Sequence, residues 1–185
     1  METLLTGLRA TVLATFVTGL LYPLFITGVA KILFQEQAEG SLIFQHGKVI
    51  GSYLLAQKVT DPAFFWYRPS AGDLATVPSL ASNLSPASLR FVRAVKTRMS
   101  VIGPKAPPEL LTTSGSGLDP HISARGALFQ IPRIARVRHL SKADQEKLVR
   151  LVMKHVEGKT FGILGAERVH VMTLNRALEE QFPHP

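Results

Sequence analysis

Ala10-Thr-Val-Leu-Ala-Thr-Phe-Val-Thr-Gly-Leu-Leu-Tyr-Pro-Leu-Phe-Ile-Thr-Gly-Val-Ala30 is a run of 21 residues without a charge. Coiled as an α-helix at about 1.5 Å per residue, it is roughly 30 Å long, the thickness of a bilayer core. Arg9 and Lys31 bracket it. No later stretch reaches about 18 consecutive apolar residues, so a single span is predicted. A cleaved signal peptide is the alternative, with Gly28-Val29-Ala30 as a weak cleavage site. The run exceeds the apolar core of a signal, about 7–15 residues, and only one basic residue precedes it. The expected organisation is a tail over 1–9, a transmembrane helix over 10–33 and one soluble domain over 34–185.

The span is not uniformly aliphatic. Thr11, Thr15, Thr18, Gly19 and Tyr22 recur at three- and four-residue spacings, which predicts a face of small and hydroxyl side chains suited to packing on other membrane helices. Pro23 predicts a kink, because it offers no N–H to the preceding turn. One basic residue on each flank leaves the orientation undecided by charge.

Outward from the span, composition narrows the classes. Forty-six per cent of the residues are hydrophobic, enough for a packed core in the soluble part. The net charge is +8, and its densest group is Arg133, Arg136, Arg138 and His139. No basic run is interleaved with aromatics, which argues against nucleic acid and leaves the lipid bilayer and a protein partner. Cysteine is absent, so disulfides and cysteine-based zinc sites are excluded. The six histidines are not paired at metal-ligand spacing, so no metal is expected and turn or surface positions are.

Ser41–Phe44 and Val49–Ala56 are strand-like and flank a turn at Gln45-His46-Gly47-Lys48, a predicted hairpin. Four aromatics follow in a row, Phe64 to Tyr67, then a loop rich in Pro and Ser. Ser85-Pro86 predicts a helix start, with Leu89, Val92, Val95 and Met99 inward, Arg98 largely outward, and an end near Gly103. Ser123 is the predicted cap of a helix that Pro132 bends on its way to Val137. Ser141 and Asp144 form a capping-box-like start for Lys142–His155, closed by Gly158. Val169–Val171 is a predicted strand and Thr173–Gln181 a last helix. The fold class is α+β: one N-terminal transmembrane helix followed by one mixed domain.

The irregular loop Ser114-Gly-Ser-Gly-Leu-Asp-Pro-His-Ile-Ser123 carries the richest chemistry. Gly115 and Gly117 permit positive φ, Asp119-Pro120 starts a turn, and Ser123 caps a helix, which makes a structural device. The rival is an anion cradle, with Ser/Gly backbone N–H groups facing a helix N-terminus and Gln130 as a polar contact. Gly115-Ser116-Gly117 lacks the frame of a nucleophile elbow, and Ser114 or Ser116, Asp119 and His121 are too close in sequence to converge as a triad. Gly158-Lys159-Thr160 fails as a phosphate loop because Met153 stands where glycine is required.

Thr113–Ser123, Gln130 and Arg133–Arg138 together resemble the signature of the C subunit of the Kdp potassium-transporting ATPase. Tyr22-Pro23, Gly40–Ile43, Gly51–Gln57, Arg68–Ala71, Ser82–Pro86 and Val169–Asn175 match the same family in order, over essentially the whole chain. Ala56, Ser85, Ala124 and His170 depart from its usual residues. The resemblance implies a non-catalytic subunit of an ATP-driven potassium import pump, partnered by the potassium-binding, catalytic and small subunits, which carry the ion path and the phosphorylated aspartate. It implies one anchoring helix in the cell membrane, a cytoplasmic N-terminus and a soluble domain outside the cytoplasm. A role as a catalytic chaperone that raises ATP affinity is also ascribed to the family. That makes Ser114, Gly115, Ser116, Gly117 and Gln130 candidate nucleotide contacts, with Leu118, Asp119, Pro120, His121 and Ser123 completing the signature loop. An extracytoplasmic domain and a cytoplasmic nucleotide conflict, and assembly and stabilisation of the complex is the preferred expectation.

Overall fold

The computed structural model describes residues 1–45 and 47–183. The chain divides into two compact units, Met1–Ser52 and Tyr53–Pro185.

In the first unit, α1 (Glu2–Phe16), a π-helical turn (Val17–Leu21) and α2 (Tyr22–Leu33) form one apolar helix of 32 residues, long enough by length and composition to cross a membrane. The π turn sits just before Pro23, where the missing N–H already breaks the α-helical ladder. Thr11 and Thr18 donate to the carbonyls of Gly7 and Ala14 at 2.9 and 2.7 Å, which satisfies hydroxyls that lipid cannot. A Cβ on Gly19 would meet only the Thr15 methyl, at 3.9 Å, so that face is open to a neighbour.

After the short helix α3 (Gln35–Ala38) comes the predicted hairpin, with β1 (Leu42–Gln45) antiparallel to β2 (Lys48–Ser52) and a bulge between Ile43 and Phe44. His46, at its predicted turn, lies outside the described residues. The second strand ends at Ser52 rather than Ala56, because the Ala56 N–H is taken by the Leu118 carbonyl at 2.9 Å.

The second unit begins with a long segment of turns and extended backbone, then α4 (Leu89–Ile102). Its cap is Ser88, whose hydroxyl accepts from the Phe91 N–H, and not Ser85, which instead closes a turn onto the N–H groups of Ala87 and Ser88. The half-buried face of α4 is Phe91, Ala94, Val95, Met99 and Ile102, and Leu89 is 72% exposed. Arg98, expected outward, turns in to donate to the Leu111 carbonyl at 2.8 Å. One turn of helix, α5 (Pro108–Leu111), precedes β3 (His121–Ile122) and α6 (Ala124–Val137). Ser123 and Ser141 cap α6 and α7 (Lys142–Lys154) as predicted. The chain then enters β4 (Val156–Glu157) directly, so Gly158 follows a strand and does not close the helix. β5 (Arg168–His170) leads without a break into α8 (Val171–Gln181), two residues earlier than predicted, because the His170 side chain supplies the cap.

The three short strands lie in the order β3-β5-β4, all antiparallel, with His121 opposite His170 and Val156 opposite Val169. Helices α6, α7 and α8 bury Ile131 and Ile134, Leu148 and Val152, and Leu174 and Leu178 against this sheet and against Phe65 and Tyr67. Among the six buried positions of α6, Ala127, Ile131, Ile134 and Ala135 keep the four- and three-residue steps of one helical stripe. Each fully buried Ile, Leu or Val side chain contributes about 1.5–3 kcal/mol through its removal from water.

Candidate functional site

The aromatic run Phe64–Tyr67 is extended but is not part of a sheet. Its backbone groups need partners all the same, and side chains provide them. The Gln130 amide accepts from the Trp66 N–H at 2.8 Å and donates to the Trp66 carbonyl at 3.1 Å. The Asn175 amide does the same to Phe65, at 2.8 and 3.0 Å. Arg133 donates to the carbonyls of Pro62 and Phe64 and, at 2.7 Å, to Gln130 Oε1. Arg138 donates to the carbonyls of Ala63 and Phe182 and pairs with Glu179 at 2.8 Å. Two amides and two guanidinium groups, from α6, the residue that follows it and α8, thus take the place of a neighbouring strand.

The loop of residues 113–123 is built in a similar way. Ser114 is buried, and its N–H donates to the Pro69 carbonyl at 3.3 Å. The Ser116 hydroxyl accepts from the Leu118 N–H at 3.1 Å. Gly117 has φ +75°, and a Cβ there would stand 2.4 Å from the Leu80 carbonyl oxygen. Gly115 lacks the positive φ expected of it and faces open space. Asp119 accepts from the His121 N–H at 3.0 Å and meets Arg68 at 3.5 Å, while the Pro120 carbonyl accepts from the Val171 N–H at 3.0 Å.

The N-terminus of α6 already holds an anion. The Glu109 carboxylate accepts from the Ser123 N–H at 3.2 and 3.1 Å and from its hydroxyl at 2.5 Å. A carboxylate at this position is favoured by the helix dipole. Gly126 makes room for it, since a Cβ there would lie 2.1 Å from Glu109 Oε1. No local sequence signal marks Glu109, because the contact closes over fourteen residues.

Two histidines meet across β3 and β5. The rings of His121 and His170 are 5.1 Å apart, edge to face. His170 is only 5% exposed, contrary to the expected surface or turn position. Its Nδ1 accepts from the Thr173 N–H at 3.3 Å, so the proton sits on Nε2, which faces the Tyr53 carbonyl at 2.7 Å. His121 lies 3.5 Å from Asp119 and 3.9 Å from Glu157. Burial, with His170 beside it, holds its pKa below the ordinary value, against the opposing pull of Glu157 and Asp119.

A groove of about 560 Å³ opens between the last turn of α4, at Val101 and Ile102, and α6, at Leu128, Phe129 and Pro132. Trp66 and Pro69 line it as well, with Arg133 and Arg136. The Arg133 guanidinium lies 3.8 Å above the Trp66 ring, and burial pushes its pKa down to about 10. Pro132 has no N–H, so the Leu128 carbonyl on the groove wall loses its helical donor. Tyr67 is buried below, its hydroxyl pushed up to about 12 by desolvation, an effect the Gln57 backbone partly offsets.

The profile described as KdpC, the K+-transporting ATPase c chain, matches residues 4–180. The chain belongs to the KdpC family. It is 44% identical over 182 residues to the potassium-transporting ATPase KdpC subunit of Dechloromonas aromatica, covering 91% of this chain and 92% of that one. It is 40% identical over 191 residues to the corresponding subunit of Koribacter versatilis, covering 100% and 97%, and 45% identical over 185 residues to that of Methylobacterium nodulans, covering 90% of each.

The KdpC signature residues are therefore distributed over three structural tasks. Ser114, Leu118 and Pro120 tie the loop to neighbouring backbone, Asp119 closes a local turn and Ser123 caps α6, and Gln130 clasps the aromatic segment. The structure brings Ser114–Gly117 together as one loop, while Gln130 points to Trp66. Asn175 and Arg138 stand within the stretches that resemble the family, but nothing local in the sequence marks Phe65, Ala63 and Phe182 as their partners. At Asn175 there is a signal, a polar side chain on the inward face of an amphipathic helix between Leu174 and Leu178.

Proposed function

We propose that this KdpC-family chain is a non-catalytic subunit that stabilises the assembled potassium pump and supports coupling of ATP hydrolysis to K+ transport, acting by binding alone. The observation that carries this reading is where the signature side chains spend their polar atoms. Gln130, Asn175, Arg133, Arg138, Asp119 and Ser123 all bond to the chain's own backbone, which makes them a scaffold for a surface. The single apolar helix, with its open Gly19 face, supplies a second contact within the bilayer. On this reading the N-terminus is cytoplasmic and the 34–185 domain extracytoplasmic. A cysteine substituted for exposed Lys142 in this cysteine-free chain reports the side, and failure of an impermeant maleimide to label it in intact cells refutes that placement.

ATP binding has less support. Gln130 is 4% exposed with both ends of its amide engaged, and the α6 N-terminus is filled by Glu109. A nucleotide would have to displace these contacts.

The test is Gly19→Leu in the full complex, which fills the approach face of the membrane helix. Recovery of the intact complex on a tag carried by another subunit is expected to fall several-fold. Recovery at the wild-type level removes the membrane-helix docking, and a pump that assembles fully without this chain removes the assembly role itself.

A further inference from the structure

The stretch of chain that supplies both helical walls of one apolar groove is strongly basic. Residues 89–137 contain eight Lys and Arg and two acidic residues, and the acidic pair is already committed, Glu109 to Ser123 and Asp119 to the turn at His121. Neither α4 nor α6, the two helices that wall the groove, contains an Asp or Glu. Among the described residues that line it, none is acidic, and Arg136 is exposed and makes no ion pair. Val101 stands 74% exposed at its edge. The groove therefore offers an apolar trough, one carbonyl without its helical donor, at Leu128, and a guanidinium to spare.

We propose that this groove receives a segment of another subunit of the pump in which a carboxylate lies within two residues of an aliphatic or aromatic side chain. The apolar side chain would enter between Val101 and Phe129, the carboxylate would meet Arg136, and a backbone N–H of the segment would reach the Leu128 carbonyl. Charge complementarity selects an acidic occupant, and the apolar lining at Val101, Ile102, Leu128 and Phe129 selects one with an apolar anchor. A protein segment meets both needs and supplies a backbone N–H for the Leu128 carbonyl. The inference rests on the assembly reading, from which it takes the class of partner.

The experiment uses the full complex in detergent with benzoylphenylalanine in place of Val101. Irradiation is expected to join this chain to a peptide of another subunit that carries Asp or Glu beside an apolar residue. Arg136→Glu is expected to lower the yield about fivefold or more, and added salt to lower it in the wild type, because an exposed pair is screened. Arg150→Glu, on α7 outside the groove lining, should leave it unchanged. An adduct only with lipid or with this chain itself, a subunit peptide without a carboxylate, a yield indifferent to Arg136→Glu, or suppression by ATP without any subunit adduct each overturns the proposal. Failure of the assembly reading is distinguishable, since it shows as a complex that forms without this chain. The groove alone fails when the complex needs the chain yet position 101 captures no subunit.

Discussion

Gln130 and Trp66 are joined at both ends of one side-chain amide, N–H to Oε1 at 2.8 Å and carbonyl to Nε2 at 3.1 Å. Asn175 repeats the arrangement on Phe65. A segment outside any sheet thereby has its backbone groups at Phe65 and Trp66 paired, and Trp66 lines the groove.

Replacing Gln130 by Met keeps the volume and removes both hydrogen bonds. Each backbone group left unpaired costs about 1–3 kcal/mol. Urea unfolding of the full chain in detergent should show the loss, read from the fluorescence of Trp66, the one tryptophan in the sequence. Asn175→Leu should do the same, and the double variant should cost less than the sum, because both act on one segment. Strict additivity would show that the two clasps are independent.

Gly117→Ala and Gly115→Ala should separate sharply. At Gly117 the new Cβ meets the Leu80 carbonyl in a left-handed conformation, and a loss of about 1–3 kcal/mol is expected. At Gly115 the Cβ enters open space with ordinary φ, so a change within about 0.5 kcal/mol is expected. Thermal unfolding of the two proteins side by side decides it, and equal effects would contradict the loop geometry.

His121 is neutral by preference in the fold, since burial and His170 lower its pKa from the ordinary 6.5. The unfolded chain therefore binds a proton first as the pH falls. This contribution to stability is fully present above about pH 6.5 and is lost as the pH drops toward the folded value. His121→Gln should flatten the pH dependence of unfolding in that window. An unchanged slope would remove His121 as its source.

The membrane span, the α+β class, the hairpin and the caps at Ser123 and Ser141 were all legible along the chain, because each depends on residues within a few positions of one another. An uncharged run of bilayer length, or a serine whose hydroxyl meets the N–H three residues on, needs no distant partner. The candidate site was not legible in the same way. Gln130 was visible as a signature residue, but its bond to Trp66 spans 64 positions, and that of Asn175 to Phe65 spans 110. The same holds for Glu109 at the start of α6 and for His170 beside His121.

By itself the sequence determined local order and kinship: which segments coil, which one suits a bilayer, and which family the chain resembles. Tertiary structure alone decided what the polar signature residues do. A buried amide or guanidinium must find its partner wherever packing brings one, and backbone groups on an unpaired extended segment accept whatever donor arrives. Hydrophobic spacing specifies which face of a helix turns inward, but not what that face will touch.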